Sequence, residues 1–313
     1  MIPKTFHFVF GLRDKPEPFH LVFYLCLESC RQVNRPTDIF FHCHHEPYGP
    51  YWDLIRDHLT IVPVQPDAFI NAYRYPQEIL NQFRYAHHAD VVRLDALITH
   101  GGIYADVDTI FVNPLPDELL QHPCVLGRED DVDCSRTGTR RPSLCNAVIA
   151  SAPGSAFVRA WRERLYAEFD GTWSNHSGFL SYALSQELPD QIHVEPPRTF
   201  FKHGFRPQDL RVLLEGLDTD VDGVVSMHLW SHLWWDRRRT EFSRVHAGMI
   251  TEDYVRTVDT TWTVVARQFL PAPNPARVAQ ASALAAHARG SSEPSRLRSI
   301  ATRVRHTLFR RSR

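Results

Sequence analysis

The sequence predicts an α/β fold in which a mostly parallel sheet is covered by helices on both sides. Three observations predict it. Short apolar runs alternate with helix-like segments through the first half of the chain. A long helical pattern stops at Gly101-Gly102, directly before another apolar run. Two acids, Asp106 and Asp108, then follow that run one residue apart. Ligands of open parallel sheets gather at the carboxyl ends of the strands, which is where this pair falls.

The elements follow in order. Thr5–Val9 reads as a strand and Phe19–Val33 as an apolar helix. Asp38–His42 is a second strand, Tyr51–His58 a short helix and Thr60–Val64 a third strand. Gln77–His100 reads as one long helix and Ile103–Ala105 as the next strand. Cys124–Gly127 and Leu144–Ser151 are further strands, with Gly154–Phe169 and Gly178–Gln186 helical. Asp130–Arg141 is polar and irregular, as a loop beside a site would be. Gly223–Leu229 is a strand that runs into an aromatic cluster through Trp235. Ile250–Leu270 reads as one long helix.

Residues 1–270 are expected to form one domain. Residues 271–313 are expected to form a Pro/Ala linker, with helix potential around Val278–Ala286, and an Arg-rich tail. Nine Arg against Glu293 leave that end at +8, whereas the body carries −9. Nearly all positive charge is Arg, since only Lys4, Lys15 and Lys202 occur. A GC-rich bacterial genome gives that bias without any functional cause. Leu297, Ile300, Val304 and Leu308 recur at helical spacing among the arginines. Two readings stay open: a basic amphipathic helix on an anionic membrane surface through 295–313, or a disordered tail. The tail lacks interleaved aromatics, so nucleic acid is not an expected partner.

Composition narrows the class further. Of 313 residues, 43% are hydrophobic and 23% charged, as in an ordinary globular protein. No apolar run approaches the roughly 20 residues that span a bilayer. The chain opens on a strand rather than a leader pattern, which suggests a cytoplasmic enzyme. Of the six cysteines, Cys26 and Cys30 share a helix face and read as core. A Cys134–Cys145 disulfide is not expected in a cytosolic chain. His42-Cys43-His44-His45-Glu46 has metal-ligating residue types, but strand alternation sends neighbours to opposite faces, so no zinc site is expected.

The chemistry concentrates between residues 89 and 108. In an extended segment Tyr104, Asp106 and Asp108 point the same way. Two carboxylates facing one spot repel unless a cation lies between them. Oxygen ligation at a strand end suits a hard divalent ion, Mg²⁺ or Mn²⁺, which commonly holds a diphosphate. Asp90 and Arg93 lie one helical turn apart and share a face. They read either as site residues or as a surface ion pair.

The block Asp90-x2-Arg93-x10-Tyr104-x-Asp106-x-Asp108, with Gly101-Gly102 inside it, resembles the DXD sugar-binding region of family 32 glycosyltransferases. These include yeast-type mannosyltransferases and bacterial capsule and lipopolysaccharide sugar transferases, and the same block recurs in clostridial toxin glucosyltransferase domains. Ile2 to Gly11 resembles that family's first strand, with Phe10 where a tryptophan usually stacks on the base. His228-Leu229-Trp230-x3-Trp234 resembles its "HHWxGSW" segment without the second His and the Gly-Ser.

The resemblance implies a GT-A-type fold and a retaining, metal-dependent hexose transfer from a nucleotide-diphosphate sugar, most simply UDP-linked, to a glycan or lipid-linked glycan. It implies catalytic roles for Asp90, Arg93, Asp106 and Asp108. It implies donor contacts from Val9, Phe10, Gly102, Tyr104, Asn146, Trp230 and Trp234, and His228 as a third metal ligand. Trp230 and Trp234 read as a closing loop or as packing. The rivals are a glycosidase using Asp106 and Asp108 without metal, and a non-catalytic sugar-nucleotide-binding protein.

Overall fold

The computed structural model describes residues 1–13, 17–134 and 136–291. Its strands are β1 (Thr5–Phe10), β2 (Asp38–Cys43), β3 (Thr60–Pro63), β4 (Gly102–Ala105), β5 (Thr109–Phe111), β6 (Cys124–Arg128), β7 (Val132–Asp133), β8 (Arg140–Arg141), β9 (Leu144–Ser151), β10 (His193–Glu195) and β11 (Ser226–His228). Seven of them form one sheet in the order β10-β6-β9-β4-β1-β2-β3. All its pairings are parallel except those of β9, which runs antiparallel to both β4 and β6. The mostly parallel sheet flanked by helices is therefore the class that the sequence predicts.

Strand alternation sorts the core into two layers. Phe6 and Phe8 of β1, Ile103 and Ala105 of β4, and Val148 and Ala150 of β9 face one layer, under helices Leu21–Ser29 and Pro207–Leu214. Val9, Tyr104 and Ile149 face the other, under helices Arg84–His100, Ala156–Glu168 and Leu180–Glu187. The two layers make the sheet buried on both sides, and its loops at one end are free to build a site.

Three expectations need correction. The helix expected over Gln77–His100 is a 3-10 turn at Glu78–Phe83 and then an α-helix at Arg84–His100. Arg84 turns back to accepting carbonyls of Ile70, Asn71 and Tyr73, which fixes the junction. The helix expected over Ile250–Leu270 is two short ones, Glu252–Thr257 and Thr261–Ala266. Thr260 and Thr263 form a reciprocal cap that starts a second helix where the first would have continued. The stretch read as a linker is helical over Pro275–Ser291. Asn274 accepts from the backbone of Ala276 and Arg277, and Arg277 pairs with buried Glu252 at 2.9 Å. The basic amphipathic helix or tail expected over 295–313 lies outside the described residues. No helix among the described residues is long and apolar enough to cross a membrane. All six cysteines are free.

Under β1 lies a buried imidazole pair. His7 Nε2 donates to the Gly101 carbonyl at 2.9 Å, so its Nδ1 accepts from His42 Nε2 at 3.0 Å. Burial lowers His7 to about 4 and His42 to about 3. Both rings are ordinary titrating groups near 6.5 once the chain unfolds. Between those values the unfolded chain binds protons that the native chain refuses. Stability is therefore present above pH 6.5 and lost as pH falls toward 4. Urea unfolding at pH 7 and 4.5 should differ by about 5 kcal/mol from this pair. A flat profile across that window would contradict the neutral pair.

Candidate active site

Asp106 and Asp108 do not sit in one extended strand. Asp106 opens and Asp108 lies within a turn between β4 and β5, closed by Thr109 N–H donating to the Asp106 carbonyl at 2.9 Å. The turn still aims both carboxylates at one spot. β11 pairs antiparallel with β5, and its last residue, His228, lies opposite Thr109. His228 Nε2 is 3.0 Å from Asp108 Oδ1 and 3.7 Å from Asp106 Oδ2. One ligand atom from each of the three lies within 4.8 Å of the others. Among the described residues this is the one such grouping of His, Cys, Asp and Glu. The His42–Glu46 run forms none.

Trp230, the second residue past β11, has a left-handed backbone, with φ at 51°. For a tryptophan this is a strained conformation, costing roughly 1–3 kcal/mol. It swings the chain so that the backbone N–H of Ser231 donates to Asp108 Oδ2 at 2.8 Å. Both oxygens of Asp108 are thus engaged.

Arg84–His100 supplies the next layer. Asp90 and Arg93 are buried, which removes the surface-pair reading. Arg93 reaches Asp90 at 3.2 Å and Asp106 at 3.4 Å, donates to the Asn146 carbonyl at 2.6 Å, and lies 4.4 Å over the Tyr104 ring. Tyr104 donates to Asp106 Oδ1, so its phase with the acid is as read. Asn146 Nδ2 donates to Asp90 Oδ1 at 2.8 Å, and His176 Nε2 meets Asp90 Oδ2 at the same distance.

Charge is arranged accordingly. Burial works against the ionised form of Asp108, but His228 and Ser231 hold it far below the usual carboxylate range. Burial opposes a charge on His228 too, yet Asp108 and Asp106 raise it. Burial dominates at Asp106 and raises it despite Arg93 and His228. Asp90 is lowered, because Arg93 and His176 outweigh its burial.

These groups line a cavity of about 440 Å³ together with Val9, Phe10 and Trp230. Two predicted donor residues lie elsewhere. Trp234 is fully buried and donates to the Leu229 carbonyl, so it is core rather than lid. Gly102 packs under β1: its φ is 101°, and a Cβ there would meet Thr5 Oγ1 at 2.4 Å. Its freedom serves the strand entry, not the cavity. Trp230 is also buried, with Nε1 donating to the His203 carbonyl at 2.9 Å.

Three further groups belong to the site, two of them, His87 and Glu129, in the cavity wall. His176 reaches Asp90 from a π-turn 86 residues downstream. His87 lines the cavity and is bonded to the Tyr75 hydroxyl at 2.7 Å. Glu129 follows β6, accepts from Ser143 Oγ at 2.6 Å, and is pushed up to about 7 by burial. His87 lies three residues before Asp90 on the same helix, so its spacing is a signal, whereas His176 and Glu129 arrive from other elements.

A mixed carboxylate and imidazole set at this separation fits a divalent ion.

Residues 49–126 match the family described as "Glycosyltransferase sugar-binding region containing DXD motif". The chain is similar to "Glucan organizing enzyme 1" of the fungus Cryptococcus neoformans var. grubii, with 35% identity over 243 residues, 74% of this chain. It spans 63% of that relative's length. Among solved structures it is similar to the galactosyltransferase LgtC with donor and acceptor sugar analogues, at 14% identity and TM-score 0.45, over 87% of this chain and 99% of that one. It is also similar to the glycosyltransferase GlyE of Streptococcus pneumoniae TIGR4, at 12% identity and TM-score 0.44, over 86% and 63%. Asp90, Arg93, Asp106 and Asp108 all lie within the stretch that matches this family description.

Proposed function

We propose that this protein is a retaining, metal-dependent hexosyltransferase of the GT-A type. It moves a sugar from a nucleotide diphosphate, UDP in the simplest case, to a hydroxyl of a glycan. The name of the fungal relative points to glucan assembly as the setting. One observation carries the reading: Asp106, Asp108 and His228 converge on one point of a cavity whose adjoining wall is Asp90, Arg93 and Asn146.

Asp106, Asp108 and His228 are the residues that would hold a divalent ion, whose positive charge would offset that of the diphosphate leaving group. Ser231 N–H fixes Asp108 Oδ2, and His228 Nε2, 3.0 Å from Oδ1, would give up that contact to ligate an ion. Asp90, Arg93 and Asn146 bind hydroxyls of the donor sugar. Their mutual bonds preset the geometry before the donor arrives. Phe10, beside Phe19 and Phe23, offers an apolar ring to the base. A glycosidase would need one carboxyl as a proton donor. His228 and Ser231 hold Asp108 far below the usual carboxylate range, which makes it a poor proton donor, so this rival would have to use Asp106, which burial raises.

The test is nucleotide release from a panel of UDP and GDP sugars with Mn²⁺. Release should stop with a chelator and return with added Mn²⁺. Turnover that ignores the chelator would support the metal-free hydrolase. Binding without any release would support the non-catalytic reading.

A further inference from the structure

A second cavity, of about 330 Å³, shares two wall residues with the first. They are Glu129 and Trp230, which line both. Glu129 thus stands between the site assigned to the donor and a space that the reading above leaves without an occupant.

The second cavity has a different chemistry. Phe201 and Trp230 give it an aromatic side, their rings 6.1 Å apart and tilted by 51°. Trp230 is fixed there by its strained backbone and its bond to His203. Carboxylates of Asp130 and Asp209 and the amide of Gln208 supply the polar side. Two cations also line it, but each is spoken for. Arg206 pairs with Asp130 at 2.7 Å, and Lys202 pairs with Asp218 at 2.9 Å. Three carboxylates against two neutralised cations make a poor seat for a diphosphate. A wall of Phe201 and Trp230 beside carboxylates and an amide makes a better one for a neutral sugar.

We infer that this second cavity receives the acceptor glycan, and that Glu129 in the shared wall accepts a hydrogen bond from the acceptor hydroxyl that reacts. The inference rests on the donor reading of the first cavity. In the transfer, the acceptor oxygen bonds to the anomeric carbon and the bond from that carbon to the diphosphate breaks. The hydroxyl proton leaves on the diphosphate. Glu129 orients the oxygen toward the carbon. Ser143, which donates to Glu129 Oε1, keeps the carboxylate in place.

Gly204 provides the test. It lines the second cavity and not the first. Its φ lies outside the left-handed range, and a Cβ there would meet only the carboxylates of Asp130 and Asp209, at 3.3 Å. Gly204→Leu should therefore plug the cavity. The full chain is assayed with Mn²⁺ and the nucleotide sugar that it hydrolyses, with glucose and mannose oligosaccharides as acceptor probes. Transfer by Gly204→Leu should fall at least 50-fold, while hydrolysis of the donor by water stays within threefold. In Glu129→Gln, the acceptor KM should rise at least tenfold more than the donor KM.

Wild-type transfer by Gly204→Leu would overturn the inference. So would equal losses of transfer and hydrolysis at an unchanged Tm, or a donor KM that rises with the acceptor KM in Glu129→Gln. If Gly204→Leu melts early, Gln208→Ala replaces it and is judged by the ratio of transfer to hydrolysis. An unsubstituted chain that cleaves no donor would overturn the donor reading and this inference together. Donor cleavage with transfer indifferent to Gly204→Leu overturns this inference alone.

Discussion

Asp108→Asn should abolish donor cleavage, lowering the rate at saturating Mn²⁺ by roughly a thousandfold or more. The magnitude follows from what the carboxylate does. Losing one neutral donor to a developing charge typically costs about 10²–10³ in rate. Losing a charged metal ligand removes both ion affinity and its neutralising charge. The fold should survive the change. Asn has the same shape, and its amide oxygen can still accept from Ser231 N–H, as Oδ2 does now at 2.8 Å. Its amide nitrogen then faces His228 Nε2, and the imidazole answers by carrying its proton on Nδ1, a buried atom without a hydrogen-bond partner. Far-UV circular dichroism and nucleotide release, measured on one preparation, separate the two effects. A folded Asp108→Asn protein that releases nucleotide at the wild-type rate would remove the metal cluster from the mechanism.

The sequence spoke most clearly where local chemistry decides structure. The apolar runs of β1 and β9 follow from burial on both faces, and Gly101-Gly102 ends a helix because its backbone takes positive φ there. Asp106 and Asp108 were readable as a converging pair, although a turn rather than a strand brings them together. What escaped was set by distant partners. β5 has three residues, too few for a period, and it exists because β11 pairs with it. The split at Thr260 was present in the sequence as a capping residue, but the apolar residues on either side of it suggest an unbroken helix. Asp90 and Arg93 were readable as neighbours on one helix face. Nothing within one helical turn could show that Asn146 and His176 would bury them.

That burial makes the second large effect a structural one as well as a functional one. Asp90→Ala should cost about 3–5 kcal/mol, the range for removing one partner of a buried charge pair, and lower Tm by roughly 10 °C. A surface pair at the same spacing would cost under about 1 kcal/mol, so the measurement decides between the two kinds of pair. The difference lies in what is left behind. Arg93, 5% exposed, would keep Asp106 at 3.4 Å and the carbonyls of Ala89 and Asn146, but would lose its partner at 3.2 Å. Asn146 and His176 would each lose the acceptor they now meet at 2.8 Å. Helix Arg84–His100, strand β9 and the turn at Asn175–Phe179 are joined through that one carboxylate, so they would loosen together. Asp90→Asn separates the roles. It keeps an acceptor for one of the three partners, so its Tm should fall by half as much or less. Donor cleavage should still drop about a hundredfold, because the preset charge beside the sugar is gone. If Asp90→Ala melts within 2 °C of the wild type, the buried network does not bind these elements together, and the preset geometry proposed for the donor site loses its structural basis.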